Sequence, residues 1–135
     1  MPPSLHATLS IDSPRELIRQ IETGLPYGLL EKLAAESGLT GSAIASAVGI
    51  APRTLARRKT AGRLAPDESE RVVRFSRVFE MALDLFESDR AGATRWLTTP
   101  HRAMGGDAPM SYLRTETGAR EVENLIGRLE HGVFS

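Results

Sequence analysis

The sequence lacks cysteine, is poor in aromatic residues and contains no long apolar run. Without cysteine, the chain can form neither a disulfide framework nor a thiolate site. Aromatic residues make up 5% of the 135 residues, so we expect a core of Leu, Ile, Val and Ala. No segment approaches the roughly 20 apolar residues of a membrane-spanning helix, and the first residues lack the basic and apolar regions of a secretory signal. These absences predict a cytoplasmic protein with no membrane segment.

Residues that commonly carry catalysis or bind metals are also sparse. His6, His101 and His131 are far apart in sequence, and no carboxylate pair or Ser-His-Asp set stands in a convincing context. Gly105 and Gly106 precede an aspartate, but a phosphate-binding loop would also need a lysine and a strand-to-helix context, so we predict a turn. The sequence therefore predicts no enzyme, no metal site and no cofactor.

The net charge is zero, but the charges are unevenly distributed along the chain. Residues 1–50 carry a net charge of −2, and residues 79–135 carry a net charge of −3. Residues 51–78 carry eight basic and three acidic side chains, for a net charge of +5. A basic segment between two acidic flanks indicates a localised contact with a polyanion.

Apolar residues recur at helical spacing, and no segment alternates over the length of a strand. Ser13, Asp89 and Thr117 are the predicted helix caps, with Glu16 completing a capping box with Ser13. After a loose arm over residues 1–12, start and stop signals predict helices over about 14–23, 26–37, 41–48, 52–59, 66–87, 89–97 and 117–130. An all-α fold follows.

Residues 40–59 have the pattern of a helix-turn-helix. Ile44, Ala45 and Val48 give the first helix an inner face of small residues, over which a second helix can cross closely. Gly49 follows, where the tight turn needs a residue that tolerates positive φ. Pro52 sets φ for the start of the second helix. The pattern therefore predicts a recognition helix from about residue 52.

The second helix of this unit exposes a basic cluster suited to DNA. Side chains near the amino end of a recognition helix reach base edges, and flanking cations hold phosphates. Arginine suits guanine because its fork matches two acceptors in the major groove. The predicted base contacts are Arg53, Thr54 and Arg57, and the predicted phosphate contacts are Arg58, Lys59 and Arg63. The alternative is a solvated basic face on a helical bundle.

The long helix that begins at Pro66 is apolar over more of its circumference than one core face requires. This excess of apolar surface is explained equally well by a subunit interface and by a central core helix that is buried on several sides. A tryptophan in the following helix could anchor an interface or, more simply, plug the core. These dimer or core residues are Phe75, Val78, Phe79, Ala82, Leu83, Phe86 and Trp96.

The final helix has a polar face and is followed by a tail that contains phenylalanine. We expect a phenylalanine at a chain end to be buried, either against its own domain or in a pocket of a partner. Nearby charges could then displace a charged nucleotide from a partner's cleft, whereas the plainer alternative is a solvated helix face. The candidate partner-binding residues are Arg120, Asn124, Arg128, Glu130, Gly132, Val133, Phe134 and Ser135.

Several motifs carry a family resemblance over about residues 24–133. In the amino-terminal half they are the helix-turn-helix and residues 24–26 (GLP), 53–58 (RTLARR), 63–64 (RL) and 68–71 (ESER). The more specific motifs are residues 93–100 (ATRWLTTP), 105–109 (GGDAP), 117–123 (TGAREVE) and 129–133 (LEHGV). With these motifs the chain resembles the Xre/MbcA/ParS-type antitoxins, the partners of RES-domain toxins. One departure is Ala65, where a serine cap would be usual, and fraying of about 1 kcal/mol is expected there.

The resemblance implies a type II antitoxin. Such a protein inhibits a toxin that degrades NAD or transfers ADP-ribose, with its last helix and tail over the toxin's active site. It also implies a homodimer that represses its own operon by binding operator DNA. The expected organisation is a flexible arm (1–12), a helix-turn-helix domain (13–65) and a dimerisation and toxin-binding domain (66–135). The alternative is a dimeric helix-turn-helix transcriptional regulator without a toxin partner.

Overall fold

The computed structural model describes residues 13–132. No strand occurs in this part of the chain, which confirms the all-α prediction. Two 3-10 helices, Arg102–Met104 and Pro109–Tyr112, precede the last α-helix. The α-helices are α1 (Pro14–Thr23), α2 (Tyr27–Ser37), α3 (Gly41–Ala47), α4 (Pro52–Ala61), α5 (Pro66–Leu85), α6 (Arg90–Thr98) and α7 (Glu116–Glu130). The predicted arm (1–12) and the tail residues Val133, Phe134 and Ser135 lie outside the described residues.

Helix α1 starts at the predicted cap but without the predicted capping box. The Ser13 hydroxyl accepts a hydrogen bond from the Glu16 N–H at 3.2 Å. The Glu16 carboxylate instead accepts from Arg19 at 2.8 Å, because the guanidinium lies one helical turn further along the same face.

The cap of α7 differs from the prediction. Thr115, and not Thr117, occupies the cap position, and its hydroxyl accepts from the Gly118 N–H at 2.9 Å. Gly118 is packed so tightly that a Cβ there would collide with the Tyr112 carbonyl oxygen. This close approach explains why glycine occupies position 118 in the first turn of α7.

Two extended segments pair antiparallel and close the amino-terminal helical unit. The Leu64 N–H donates to the Leu25 carbonyl, and the Tyr27 N–H donates to the Gly62 carbonyl, each at 2.9 Å. Gly24 has a φ of +97°, and a Cβ there would collide with the Leu64 carbonyl oxygen. This close approach explains why glycine precedes the Leu-Pro pair.

Helices α3 and α4 form the predicted helix-turn-helix. Ile44 and Leu55 are buried on the inner sides of the two helices. Gly49 adopts a φ of +81° in the turn, and the Ile50 N–H donates to the Ala45 carbonyl at 2.8 Å. The turn therefore has the left-handed residue that the spacing predicts.

Helix α5 is central, and its apolar stripe is buried within the chain. The buried apolar residues of the described part form one cluster that extends from Leu25 to Ile126. Five residues of the stripe expose 4% or less of their surface: Phe75, Val78, Phe79, Ala82 and Leu83. Because these side chains are covered by their own chain, the core alternative applies to them and the subunit-interface alternative does not. No helix between residues 13 and 132 is long and apolar enough to cross a membrane.

Arginines on α5 also hold backbone groups of other segments. Arg71 Nε donates to the Val48 carbonyl at the end of α3, at 2.7 Å. Arg74 Nη1 donates to the Leu113 and Arg114 carbonyls in the loop before α7, each at 3.1 Å. The same helix therefore positions the helix-turn-helix and the start of the carboxy-terminal helix.

A buried ion pair connects α4 to the start of α5. Glu68 exposes 5% of its surface, and its carboxylate accepts from Arg58 Nε at 2.7 Å and from the Ala65 N–H at 2.8 Å. Burial by itself would raise the Glu68 pKa, but these hydrogen bonds outweigh burial and hold the pKa below its usual range. Glu68 thus satisfies the N–H of the cap residue Ala65, whereas Ala65 offers no side-chain acceptor to the first turn of α5, which begins at Pro66.

The Glu68 contacts generate a prediction about stability and pH. Glu68→Gln should lower the free energy of unfolding by about 1–2 kcal/mol at neutral pH, because the charge-assisted hydrogen bonds from Arg58 are weakened. The folded-state pKa is depressed, so the Glu68 contribution is complete above its usual pKa of 4.5. This contribution is lost as the pH falls through the folded-state pKa. Urea unfolding at decreasing pH should therefore show a flatter acid dependence for E68Q than for the wild type.

Glu70→Gln is the matched control, because it makes the same charge change at an exposed position of the same helix. The two variants should differ in both stability and acid dependence. Equal stability losses, or an acid dependence in E68Q that equals the wild type's, would contradict the assigned role of Glu68.

Candidate nucleic-acid interface and partner surface

Helix α4 presents exposed basic side chains near its amino end. Arg53 and Arg57 are exposed, and Thr54 is half-buried. The Thr54 hydroxyl lies 3.4 Å from Arg57 Nη2, so the two side chains meet on one face. No acidic residue occupies the first turn of α4, which leaves the partial positive charge of the helix terminus unopposed there. The structure thus brings together the three residues predicted to contact bases.

The three residues predicted to contact phosphates differ in their availability. Lys59 is exposed, and its ammonium forms no ion pair with the described residues. Arg58 is bound to Glu68, and this hydrogen bond raises the Arg58 pKa. Arg63 Nη1 donates to the Gly24 carbonyl. Lys59 is therefore the least constrained of the three, whereas Arg58 and Arg63 also hold partners within the fold, and all three phosphate contacts stay predictions.

The basic segment at residues 51–78 is largely engaged within the chain. Five of its eight cations bind carboxylates or carbonyls of the same chain: Arg58, Arg63, Arg71, Arg74 and Arg77. The remaining three, Arg53, Arg57 and Lys59, are exposed on α4. Carboxylate partners offset the charges of Arg58, Arg74 and Arg77, whereas Arg63 is exposed and keeps its charge, because a neutral carbonyl cannot cancel it.

Helix α7 has a buried face and an exposed face. Its inner face packs into the core through Ala119, Val122, Leu125 and Ile126. Arg120, Asn124 and Arg128 are exposed at intervals of four residues, and exposed Glu130 and Gly132 follow at the helix end. The structure therefore places these five predicted partner-binding residues along and beyond one helix, while the other three lie outside the described residues.

An ion-pair cluster that the sequence analysis missed fixes α7 against α5. Arg77 contacts Glu116 at 3.1 Å and Glu123 at 2.9 Å, and Arg74 Nε donates to Glu116 at 3.2 Å. Burial would lower the Arg77 pKa, but hydrogen bonds with Glu123 and Glu116 outweigh it and raise the pKa. For Glu116, burial is likewise outweighed by Arg77 and Arg74, and its pKa is lowered. These partners lie 39 to 46 positions apart, so no local sequence signal joins them.

Trp96 lies at the edge of the core, beside the loop that follows α6. Its ring centroid is 6.5 Å from that of Phe86 and 5.3 Å from that of His101. His101 Nε2 also lies 2.9 Å from the Trp96 carbonyl oxygen. Trp96 therefore packs against the core and the following loop, while it and Phe86 stay half-buried, so both interpretations of the tryptophan remain open.

The histidines do not come together in the described part of the chain. His101 packs on Trp96, His131 is exposed at the end of α7, and His6 lies outside the described residues. Among residues 13–132, no group of three or more His, Asp or Glu side chains is arranged to hold a metal ion. Gly105 and Gly106 both have positive φ, which confirms the predicted turn.

Two family models match successive parts of the chain. One, described as the antitoxin Xre-like helix-turn-helix domain, matches residues 16–77. The other, described as the antitoxin Xre/MbcA/ParS C-terminal toxin-binding domain, matches residues 81–132. The two matches meet within α5, the helix that packs against elements of both halves.

Similar proteins bear the name antitoxin Xre. The protein from Yersinia enterocolitica is 45% identical over 120 residues, which cover 88% of this chain and 81% of the relative. The protein from Photorhabdus laumondii is 40% identical over 116 residues, which cover 85% and 78%. These matches extend over both the helix-turn-helix and the carboxy-terminal helices. The chain therefore belongs to the Xre/MbcA/ParS family of antitoxins.

Proposed function

We propose that this chain is a type II antitoxin that binds and inhibits a RES-domain toxin. The observation that carries the proposal is the exposed line of Arg120, Asn124 and Arg128 on α7, within the segment that matches a toxin-binding domain. The cluster of Arg77 with Glu116 and a buried inner face hold this line on the core. A surface that is rigid before binding loses less conformational entropy when a partner docks.

The proposed mechanism of inhibition is occlusion of the toxin's active site. The toxin would degrade NAD or transfer its ADP-ribose group, so its cleft must attract the phosphates of NAD. The Glu130 carboxylate can occupy such an anion-binding position, while Arg120 and Arg128 pair with acidic residues at the rim of the cleft. Gly132 and the tail residues Val133, Phe134 and Ser135 would fill the remaining space.

The second part of the proposal is that the chain represses its own operon. Arg53, Thr54 and Arg57 would contact bases of operator DNA, and Lys59 would contact a phosphate. Support comes from the exposure of Arg53, Arg57 and Lys59 on α4 and from the absence of acidic residues in its first turn.

We further propose that the chain acts as a homodimer in the cytoplasm and has no catalytic activity of its own. A two-fold dimer would present two recognition helices to half-sites about 34–36 Å apart. Five residues of the α5 stripe are covered by their own chain: Phe75, Val78, Phe79, Ala82 and Leu83. We therefore propose that the dimer contact uses residues outside this buried set.

The alternative function is a dimeric helix-turn-helix transcriptional regulator without a toxin partner. The exposed cations of α4 support this alternative equally well, because they concern DNA alone. The reading frame next to this gene separates the two proposals: a RES-domain toxin there supports the antitoxin, and an unrelated protein supports the regulator.

Charge reversal on α7 tests the toxin-binding surface. Arg120→Glu combined with Arg128→Glu should weaken the complex with the RES-domain toxin by about tenfold or more, because the rim contacts become repulsive. Cells that express the toxin with this variant should lose NAD. Arg15→Glu combined with Arg19→Glu makes the same charge change at exposed positions of α1 and should leave inhibition intact. Full inhibition by the double variant would refute the proposed surface.

Deletion of residues 132–135 tests occlusion separately from binding. If the tail fills the cleft, the shortened chain should still copurify with the toxin through α7 but should no longer prevent NAD loss. A deletion variant that both binds and fully inhibits the toxin would rule out a role for the tail. A wild-type chain that forms no complex with the toxin would overturn the antitoxin proposal itself.

Substitutions on α4 test DNA recognition. Arg53→Gln should weaken binding to a duplex selected from a random pool by about 1–3 kcal/mol, with less effect on a scrambled duplex. Lys59→Gln should weaken binding to both duplexes equally and reduce the slope of log affinity against log salt by about 0.9. Fluorescence anisotropy measures both effects, and Arg102→Gln, an exposed change in the other half, is the control. Equal losses of R53Q on both duplexes would exclude a base contact.

A further inference from the structure

The side chain of Arg114 lies against the turn of the helix-turn-helix, although it belongs to the carboxy-terminal half of the chain. A Cβ placed on Gly49 would lie 3.7 Å from Arg114 Cγ and 3.9 Å from its Cδ. The apolar stem of the arginine therefore lies beside Gly49, with room between them for about one methyl group. Arg114 is exposed.

Arg74 of α5 holds the backbone around Arg114 in place. Arg74 Nη1 donates to the carbonyls of Leu113 and Arg114, each at 3.1 Å, and Arg74 Nε donates to Glu116 at 3.2 Å. Leu113 is fully buried. Because both flanks of Arg114 are fixed, ordering its side chain on a ligand costs less entropy than ordering one on a free loop.

The Arg114 guanidinium has no ion-pair or hydrogen-bond partner among the described residues, in contrast to the arginines of α5. Glu22, Asp67 and Glu70 line the same cleft as Arg114, but none of their carboxylates lies within 4.0 Å of the Arg114 guanidinium. Asp67 is paired with Arg71 at 3.3 Å. Glu22 and Glu70 reduce the local positive potential without neutralising Arg114 directly.

The turn directly precedes the recognition helix, whose amino end enters the major groove. A cation over this turn therefore lies beside the phosphates that border the groove, and not over base edges. We propose that Arg114 is an additional DNA phosphate contact, supplied to the helix-turn-helix by the toxin-binding half of the chain. This inference rests on the proposed DNA-binding function, and it extends the DNA contact surface beyond the matched helix-turn-helix domain.

The salt dependence of DNA binding tests the inference. The probe is a fluorescein-labelled mixed-sequence duplex of about two helical turns (~21 base pairs), titrated with the full chain at several NaCl concentrations. Arg114→Gln should reduce the slope of log affinity against log salt by about 0.9, since one phosphate contact is lost. Arg114→Lys should keep the wild-type slope, and Arg102→Gln, an exposed arginine of the same half, should also keep it.

The outcomes separate this inference from the function on which it rests. If the wild type binds the duplex and R114Q keeps the wild-type slope and affinity, the Arg114 contact is refuted and the α4 contacts stand. If R114K reduces the slope of log affinity against log salt as much as R114Q does, the proposed role of the Arg114 charge is refuted. If the wild type does not bind any duplex, DNA binding itself is refuted and the Arg114 contact with it. Unfolding curves of the variants, which should coincide with the wild type's, show that each variant is folded.

Discussion

Helix α5 is buried by elements of both halves of the chain, and the apolar area that it removes from water stabilises their arrangement. The rings of Phe75 and Phe79 stack with centroids 5.9 Å apart. Full burial of one such side chain contributes about 1.5–3 kcal/mol. Close packing around a central helix also buries backbone carbonyls, which need hydrogen-bond donors. Arg71 and Arg74 supply those donors to the end of α3 and to the loop before α7.

The basic residues of the middle segment have two possible roles: pairing with carboxylates inside the fold and attracting DNA phosphates. A guanidinium that neutralises a buried carboxylate such as Glu68 cannot also attract a phosphate strongly, because its field is cancelled at short range. The arginines that face inward form hydrogen bonds and ion pairs within the fold, whereas the cations that face outward on α4 are exposed. DNA binding would therefore depend on a small number of phosphate contacts and on the base contacts, rather than on a broad positive surface.

Both candidate surfaces are fixed to α5 by the same kind of interaction. The Arg58–Glu68 pair fixes the carboxyl end of α4, and Arg77 with Glu116 and Glu123 fixes α7. Each connection combines a charge-assisted hydrogen bond with an apolar face packed on the core. The side chains that extend outward from α4 and α7 are thus carried by one body, which suits a protein proposed to hold two different partners.

The sequence by itself determined the helical class, the helix-turn-helix and most helix boundaries, because these depend on local features. Gly49, Pro52 and the cap at Ser13 act within a few residues of themselves. The tertiary structure alone decided which cations pair with carboxylates, that most of the α5 stripe is core, and that Arg114 lies beside the turn. These outcomes depend on contacts between residues far apart in the chain. Neither spacing nor composition specifies which distant partner will neutralise a charge or cover an apolar face.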